Sequence, residues 1–472
     1  MSLSIPFANT YGTLPAQLFT RMKPTAVADP SLIAFNHDLA AELGIENTQD
    51  IAELSRVFGG NEVPQGADPL AQLYAAHQFG QWNPQLGDGR ALMLGDVETT
   101  AGRFDIQLKG SGPTPYSRNG DGRAWLGPVL REYVMSEAMH ALGIPTTRAL
   151  AAVATGEQVF RETALPGAVI TRVAASHIRV GTFQILVARR DLDGLQALNE
   201  HAVERHYPDC NNPLEFLQAV IHAQAKLVAK WMSIGFIHGV MNTDNCTVSG
   251  ETIDYGPCAF MDEFHPMQVF SSIDRHGRYA YGNQPDIIVW NMAQLATSLV
   301  PLMPDADQAV KDFTAAVHAM PKLLHENWRN AFGAKLGMTS PSQEDDRLIQ
   351  ELLQLMADEK ADFTNTFRAL TDGTANPKLD KSDAFQSWTQ RWRTRIEREE
   401  DPIAKMRAAN PYIIPRNHQI EAMIQAAVQG DYDPFHRLNA LLATPFAASS
   451  EALYLTHPPQ DAERVEATFC GT

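Results

Sequence analysis

Cysteine is scarce: the 472 residues hold four, Cys210, Cys246, Cys258 and Cys470. Their spacing matches no zinc pattern, and they are too few for a disulfide scaffold. Reduced thiols are expected instead. Basic residues are also in short supply, 38 against 55 acidic ones, for a formal net charge of −17. Such a surface repels bulk nucleic acid and anionic lipid, so any phosphate site has to be a local cluster of cations. No apolar run reaches the roughly 18 residues of a membrane span. The opening MSLSIPFANTYGTLPAQLF lacks a basic stretch followed by an apolar one, and lacks the Arg-rich character of a transit peptide. A cytoplasmic protein is expected. Internal repeats and low-complexity tracts are missing as well.

What is present is ordinary for a globular chain: 44% apolar and 20% charged residues. The length suits two lobes plus extensions rather than one small core. Residues 1–65 mix Pro-containing loops with a short helix expected around Ser31–Leu43. A Gly-rich stretch with GDG at Gly87–Gly89 leads into a strand-like run, Ala91–Leu94. In RFDIQLKG, Phe104, Ile106 and Leu108 alternate, which reads as a strand. A helix is expected over Leu126–Leu142, with Pro128 in its first turn and Gly143 and Pro145 as its stop. The segment after it reads as strands with turns at Thr155-Gly156 and Pro166-Gly167. From about residue 182 the pattern turns helical. Asn212 and Pro213 open a long apolar helix that runs to Gly235. Further helices are expected over 286–330, 343–370 and near Gln419–Gln429.

That long helix feeds FIHGVMNTDN (236–245), and IDYGP follows at Ile253–Pro257. A His-Gly start, an Asn seven residues after the His, and an Asp-aromatic-Gly outline a phosphotransferase loop. Val240 stands where the loop Asp belongs. Asn245 and Asp254, on two segments that can form adjacent short strands, offer an amide oxygen and a carboxylate. Both are hard ligands suited to Mg²⁺. An Asx-turn at Thr243–Asn245 and a strand-end Asp are the bland alternative. Asp244 can face an incoming hydroxyl and accept its proton, so the carboxylate can have moved rather than vanished. His238 is read as structural.

Several residues suit a polyphosphate. Lys109 ends an amphipathic strand, with Glu132 or Glu137 on the next helix as its partner. Arg172 and Arg179 lie between apolar residues, where buried arginines need an anion, either a carboxylate or a phosphate. Gly87, Gly89 and Arg90 can bring backbone N–H groups and a guanidinium to phosphates. In NGDGRA, which includes Gly122, Asp121 either accepts from an adenine amine or caps the turn.

The blocks QLKGSGPTPYSRNGDGRA, REYVMSEAMHALGIPTTRAL, TRVAASHIRVGTFQ and GFIHGVMNTDNCTVSGETIDYGPCAFMD resemble the selenoprotein O family over roughly residues 60–330. The resemblance implies an α+β, protein-kinase-like two-lobe fold, long classed as a pseudokinase. On that reading residues 1–65 are an N-terminal extension, 66–180 a nucleotide-binding lobe, 181–335 a catalytic lobe and 336–472 a helical extension. It also implies transfer of AMP from ATP to Ser, Thr or Tyr hydroxyls of proteins, with the nucleotide flipped relative to ordinary kinases. By position, Asp244 corresponds to the catalytic carboxylate, Asn245 and Asp254 to ligands of Mg²⁺ or Mn²⁺, and Glu132 to the partner of Lys109. Gly87, Gly89, Arg90, Lys109, Asp121, Gly122, Arg172, Arg179 and Asp254 correspond to nucleotide-binding positions. The expected partners are ATP and acceptor proteins, with neither nucleic acid nor membrane, and the chain is expected to be a monomer. Family members carry a selenocysteine or cysteine near the C-terminus, which Cys470 matches. Met261–Tyr281 holds no cysteine to pair with it, leaving Cys258 as the nearby candidate. The alternatives are a kinase of a small molecule or protein, which Val240 disfavours, and a silent scaffold, which has no need of metal ligands.

Overall fold

The computed structural model describes residues 2–469; Cys470, and with it a Cys258–Cys470 bridge, lies outside them. The chain is mixed α+β. Its strands are β1 (Phe19–Arg21), β2 (Ser31–Phe35), β3 (Leu70–Gln72), β4 (Ala76–Gln78), β5 (Gln81–Asn83), β6 (Ala91–Thr99), β7 (Gly102–Lys109), β8 (Ala124–Trp125), β9 (Arg148–Phe160), β10 (Ala164–Ala174), β11 (Phe236–Ile237) and β12 (Ala259–Phe260). The main sheet runs β1-β3-β6-β7-β10-β9-β2, with β8 beside β10. All of its pairings are antiparallel.

Period-2 alternation divides this sheet into two faces. Ile106 and Leu108 of β7 and Val169 and Val173 of β10 join Leu54, Val57 and Phe58 of helix Ile51–Gly59 in one core. The intervening residues Gln107, Lys109 and Arg172 face the other way, toward helix Leu126–Ala141. Register sets Lys109 opposite Ile170 and Arg172 opposite Gln107. Two adjacent strands therefore deliver two cations to one place.

Several local expectations shift. The segment expected as one helix from Ser31 is strand β2 followed by helix His37–Glu42. Its run SLIAF is short and apolar, ambiguous by periodicity, and pairing with β9 decides it. β1 and β2 thus draw the first 65 residues into both edges of the sheet. The turns expected at Thr155-Gly156 and Pro166-Gly167 lie inside β9 and β10; the chain reverses at residues 161–163 instead. Pro166 falls at a register shift, where the ladder tolerates a missing N–H.

Helix Pro213–Ser233 begins as expected, Asn212 Oδ1 accepting from the Glu215 N–H at 3.0 Å. It delivers the chain into β11, which pairs with β12, Phe236 opposite Phe260. Residues 238–258 are an excursion pinned at both ends by that pair. In the tail, Trp388 and Trp392 stack at 5.7 Å inside a second core. The tail also packs against helix Leu126–Ala141. Tyr133 of helix Leu126–Ala141 packs edge-on against Phe435 at 5.4 Å, and Arg131 Nη2 donates to Asn417 Oδ1 at 3.1 Å. No helix among the described residues is long and apolar enough to cross a membrane.

Candidate active site

The 238–258 excursion faces the polar side of the sheet across a cavity of about 450 Å³, within the size range of small-molecule sites. Lys109 Nζ reaches Glu132 Oε2 at 2.7 Å and Asp254 Oδ1 at 2.8 Å. Arg172 Nε and Nη2 both donate to Glu132 Oε1, at 2.8 and 2.5 Å, and Nη2 also meets Asp254 Oδ1 at 2.5 Å. Arg179 Nη2 lies 4.0 Å from Asp254 Oδ2, and its guanidinium stacks 4.5 Å over the Tyr74 ring. Burial alone would raise the pKa values of Asp254 and Glu132. Arg172 and Lys109 outweigh it, with Arg179 adding to the effect at Asp254, and both carboxyls are held low. Glu137, the other candidate partner of Lys109, points elsewhere and accepts from Arg148 Nε at 2.8 Å.

The excursion is shaped by its own polar groups. His238 Nε2 bonds the Ile253 carbonyl at 2.9 Å, and its Nδ1 accepts from the Val240 N–H at 3.4 Å. Burial lowers its pKa, so the ring is the neutral Nε2–H tautomer and serves as a brace. Val240 is buried on the cavity wall. Asn245 and Asp254 do not sit on adjacent strands. Asn245 ends a 3₁₀ turn, Thr243–Asn245, and Asp254 adopts a left-handed φ of 63°. The short polar side chains of Asp and Asn tolerate such turn geometry. Both nonetheless line the same cavity as Asp244. Asp244 Oδ2 accepts from Gln78 Nε2 at 3.1 Å, whereas its Oδ1 is buried without a partner. Burial pushes this carboxyl up to about 6. Two carboxylates in one cavity, one held low by cations and one raised by desolvation, are suited to different tasks.

The glycine turns supply the roof. At Gly87, φ is +133°, and an added Cβ would stand 2.6 Å from the Tyr116 ring and 2.8 Å from the Gln72 carbonyl. Asp88, between the two glycines, is buried and accepts from the Gln72 N–H at 3.1 Å and Gln107 Nε2 at 3.2 Å. The Gly89 N–H is occupied within the turn by the Gly87 carbonyl at 2.8 Å. Arg90 lines the cavity. Gly122, in the second turn, accepts from the Gly112 N–H at 3.0 Å. Asp121 is exposed at the rim. It caps its own turn through the Arg123 N–H at 2.9 Å and pairs with Arg161 Nη1 at 2.8 Å. Sequence reasoning missed Tyr74, Gln78, Gln107 and Arg161. Asp88 was in view inside GDGR, but nothing local marks it as buried.

A family model described as protein adenylyltransferase SelO matches residues 2–443. The chain belongs to this family. It is 61% identical to the protein nucleotidyltransferase YdiU of Ruegeria sp. (strain TM1040), 59% to that of Ruegeria pomeroyi and 53% to that of Rhodopseudomonas palustris, each alignment covering 100% of both chains. The resemblance drawn from the sequence blocks is therefore borne out over essentially the whole length.

The SelO-family chain can be tested for a divalent cation by its donors. Asn245 Nδ2 donates to the Val240 carbonyl at 3.0 Å, which leaves Oδ1 as an oxygen ligand. Asp254 adds a carboxylate. The described residues contain no group of three or more His, Cys, Asp or Glu side chains able to hold a metal. Two protein oxygens completed by phosphate and water fit Mg²⁺ or Mn²⁺ rather than a closed structural site.

Proposed function

We propose that the chain is a protein adenylyltransferase that moves AMP from ATP to Ser, Thr or Tyr hydroxyls of other proteins, in the cytoplasm and as a monomer. We read it as a kinase-like pair of lobes, 66–180 over 181–335, with 1–65 and 336–472 as extensions. The observation that carries this reading is the meeting of Lys109, Arg172 and Arg179 with Asp254 around one cavity, beside a separate carboxylate, Asp244.

The chemistry follows from charge. ATP is a polyanion, and in this acidic protein three cations meet at one point to receive it. Lys109, Arg172 and Arg179 bind and orient the phosphates, with Arg90 and the Gly87 and Gly122 turns around them. Glu132 holds Lys109 and Arg172 in place. Asp121 lies at the rim, beside the nucleotide. Asn245 and Asp254 would hold Mg²⁺ or Mn²⁺, which supplies neutralisation of phosphate charge. The acceptor oxygen forms a bond to the α-phosphorus, the bond to the bridging oxygen breaks, and pyrophosphate leaves. Asp244 takes the hydroxyl proton. Such transfers depend on positioning and charge stabilisation more than on covalent participation by the protein. Val240 keeps the usual base position apolar, and Asp244 carries out that role from four residues further on.

ATP labelled at the α- or the γ-phosphate, with Mg²⁺ or Mn²⁺ and an acceptor protein, tests the reading. Label from α is expected. Label from γ alone would make the chain a kinase, and label from neither a scaffold.

A further inference from the structure

The hairpin β4–β5 stands outside the main sheet and pairs only with itself. Its two-residue turn is Phe79-Gly80, with φ of 52° and 81°. Positive φ at both positions is the type I′ arrangement, normally given to Asn-Gly. A bulky L-residue avoids that conformation, and strain of this kind persists only where surrounding contacts impose it.

Here the contacts are with the loop that carries Asp244. Three successive hairpin residues grip three successive loop residues. The His77 N–H donates to Thr243 Oγ1 at 2.8 Å, Gln78 Nε2 to Asp244 Oδ2 at 3.1 Å and the Phe79 N–H to Asn242 Oδ1 at 3.0 Å. Two of the three grips are reinforced from a third element. Gln184 bonds both His77 Nδ1, at 2.9 Å, and Thr243 Oγ1, at 2.7 Å. Tyr279 donates to the same Asn242 oxygen at 2.5 Å and packs its ring 5.1 Å from Phe79. Of this network, Tyr279 also belongs to the main hydrophobic core and Phe79 packs against it. The network's members converge on the Asp244 loop, and Gln78 and Phe79 line the cavity.

We propose that the β4–β5 hairpin is the positioning clamp for the Asp244 carboxylate, with Gln78 as its contact. The amide holds Oδ2, which fixes the plane of the carboxylate and leaves Oδ1 with no protein donor competing for it. Gln78 is a positioning residue, acting through Asp244. This inference rests on the adenylyl-transfer reading for its kinetic consequence but not for the clamp itself.

The test uses the full chain with Gln78→Leu, which removes the donor, and Gln78→Glu, which keeps the length and removes the N–H. Steady-state transfer from α-labelled ATP to dephosphorylated casein gives kcat and the KM for ATP. Hydrogen exchange over residues 240–246 reports the loop directly. Both variants are expected to lower kcat by about tenfold or more, the loss of one hydrogen bond to a charged group. The KM for ATP stays within about twofold, as for an interaction made at the reacting group rather than in nucleotide binding. Exchange of the loop amides rises in both, and melting temperature holds. Unchanged kcat and unchanged exchange would overturn the proposal. So would a rise in KM as the main effect, since that would make Gln78 a nucleotide contact. If the wild type itself transfers no α-label, the adenylyl-transfer reading falls, and the exchange comparison still decides whether Gln78 holds the loop.

Discussion

Lys109 and Asp254 stand 145 positions apart and meet at 2.8 Å, Nζ on Oδ1. A proposed phosphate ligand and a proposed metal ligand thus neutralise each other. On the proposed reading, binding of ATP with its cation exchanges this pair for Lys–phosphate and Asp–metal contacts. Lys109→Met should therefore weaken ATP binding and lower transfer by about 10–100-fold, the value of one or two charge-assisted hydrogen bonds. Lys109→Arg should not restore it, because Arg172 already bridges the same two carboxylates, and a second, bulkier guanidinium would crowd it there. Calorimetric titration with ATP and magnesium checks the first effect, and the labelled-transfer assay the second.

Asp244 is the residue whose removal should separate chemistry from binding. A general base contributes roughly 10²–10⁴-fold. Asp244→Ala and Asp244→Asn should lose α-phosphate transfer by at least about 100-fold while ATP affinity and melting temperature stay near wild type. Wild-type turnover in either variant would remove the role assigned to it.

Gly87→Ala probes the roof of the cavity. The new methyl would need φ of +133° and would press on the Tyr116 ring and the Gln72 carbonyl. One of the two walls can yield only by moving the turn. Reduced ATP affinity with a retained fold is expected, read by the same titration alongside circular dichroism.

How far the sequence revealed this site depended on the range of each signal. Lys109 was legible because period-2 alternation is local, and Asn212 because its cap needs only the next three residues. The strand character of SLIAF was not, since it depends on pairing with β9, more than a hundred residues later. Asn245 and Asp254 were matched to ligand positions, but their strands were misjudged, because turn geometry rather than periodicity shapes that loop. Gln78 was invisible: its partner lies 166 residues away, and nothing near HQFG announces it.

Behind the site, Asp105 lies fully buried between Arg205 Nη2 at 2.6 Å and His177 Nδ1 at 3.1 Å. The His177 carbonyl in turn holds Arg179 Nη1 at 2.9 Å. Burial would raise the Asp105 carboxyl, but Arg205 and His177 overcome it and hold it well below the usual range. A depressed folded-state pKa means stability that is present above the unfolded value of about 3.9 and lost as pH falls below it. Asp105→Ala should destabilise by about 3–5 kcal/mol at pH 7, because Arg205 is left buried and unpaired. Asp105→Asn should flatten the acid side of a plot of melting temperature against pH. An unchanged acid limb would show that other carboxylates govern it.

Lys335 presents the opposite sign. It is buried, with its ammonium 4.2 Å from the Phe367 ring and 5.5 Å from that of Phe363. Burial lowers its pKa to about 7. Between that value and the unfolded one near 10.4 the unfolded chain binds the extra proton, so stability rises with pH across this window. The aromatic faces offset part of the cost of the charge below it. Lys335→Met keeps the length and removes the charge. It should raise stability by about 1–4 kcal/mol at pH 6, and the gain should fade toward pH 10, where the wild-type amine is already neutral. Urea unfolding at pH 6, 8 and 10 resolves this. A gain that does not vary with pH would mean that the methionine packs better, rather than that a buried charge has been relieved.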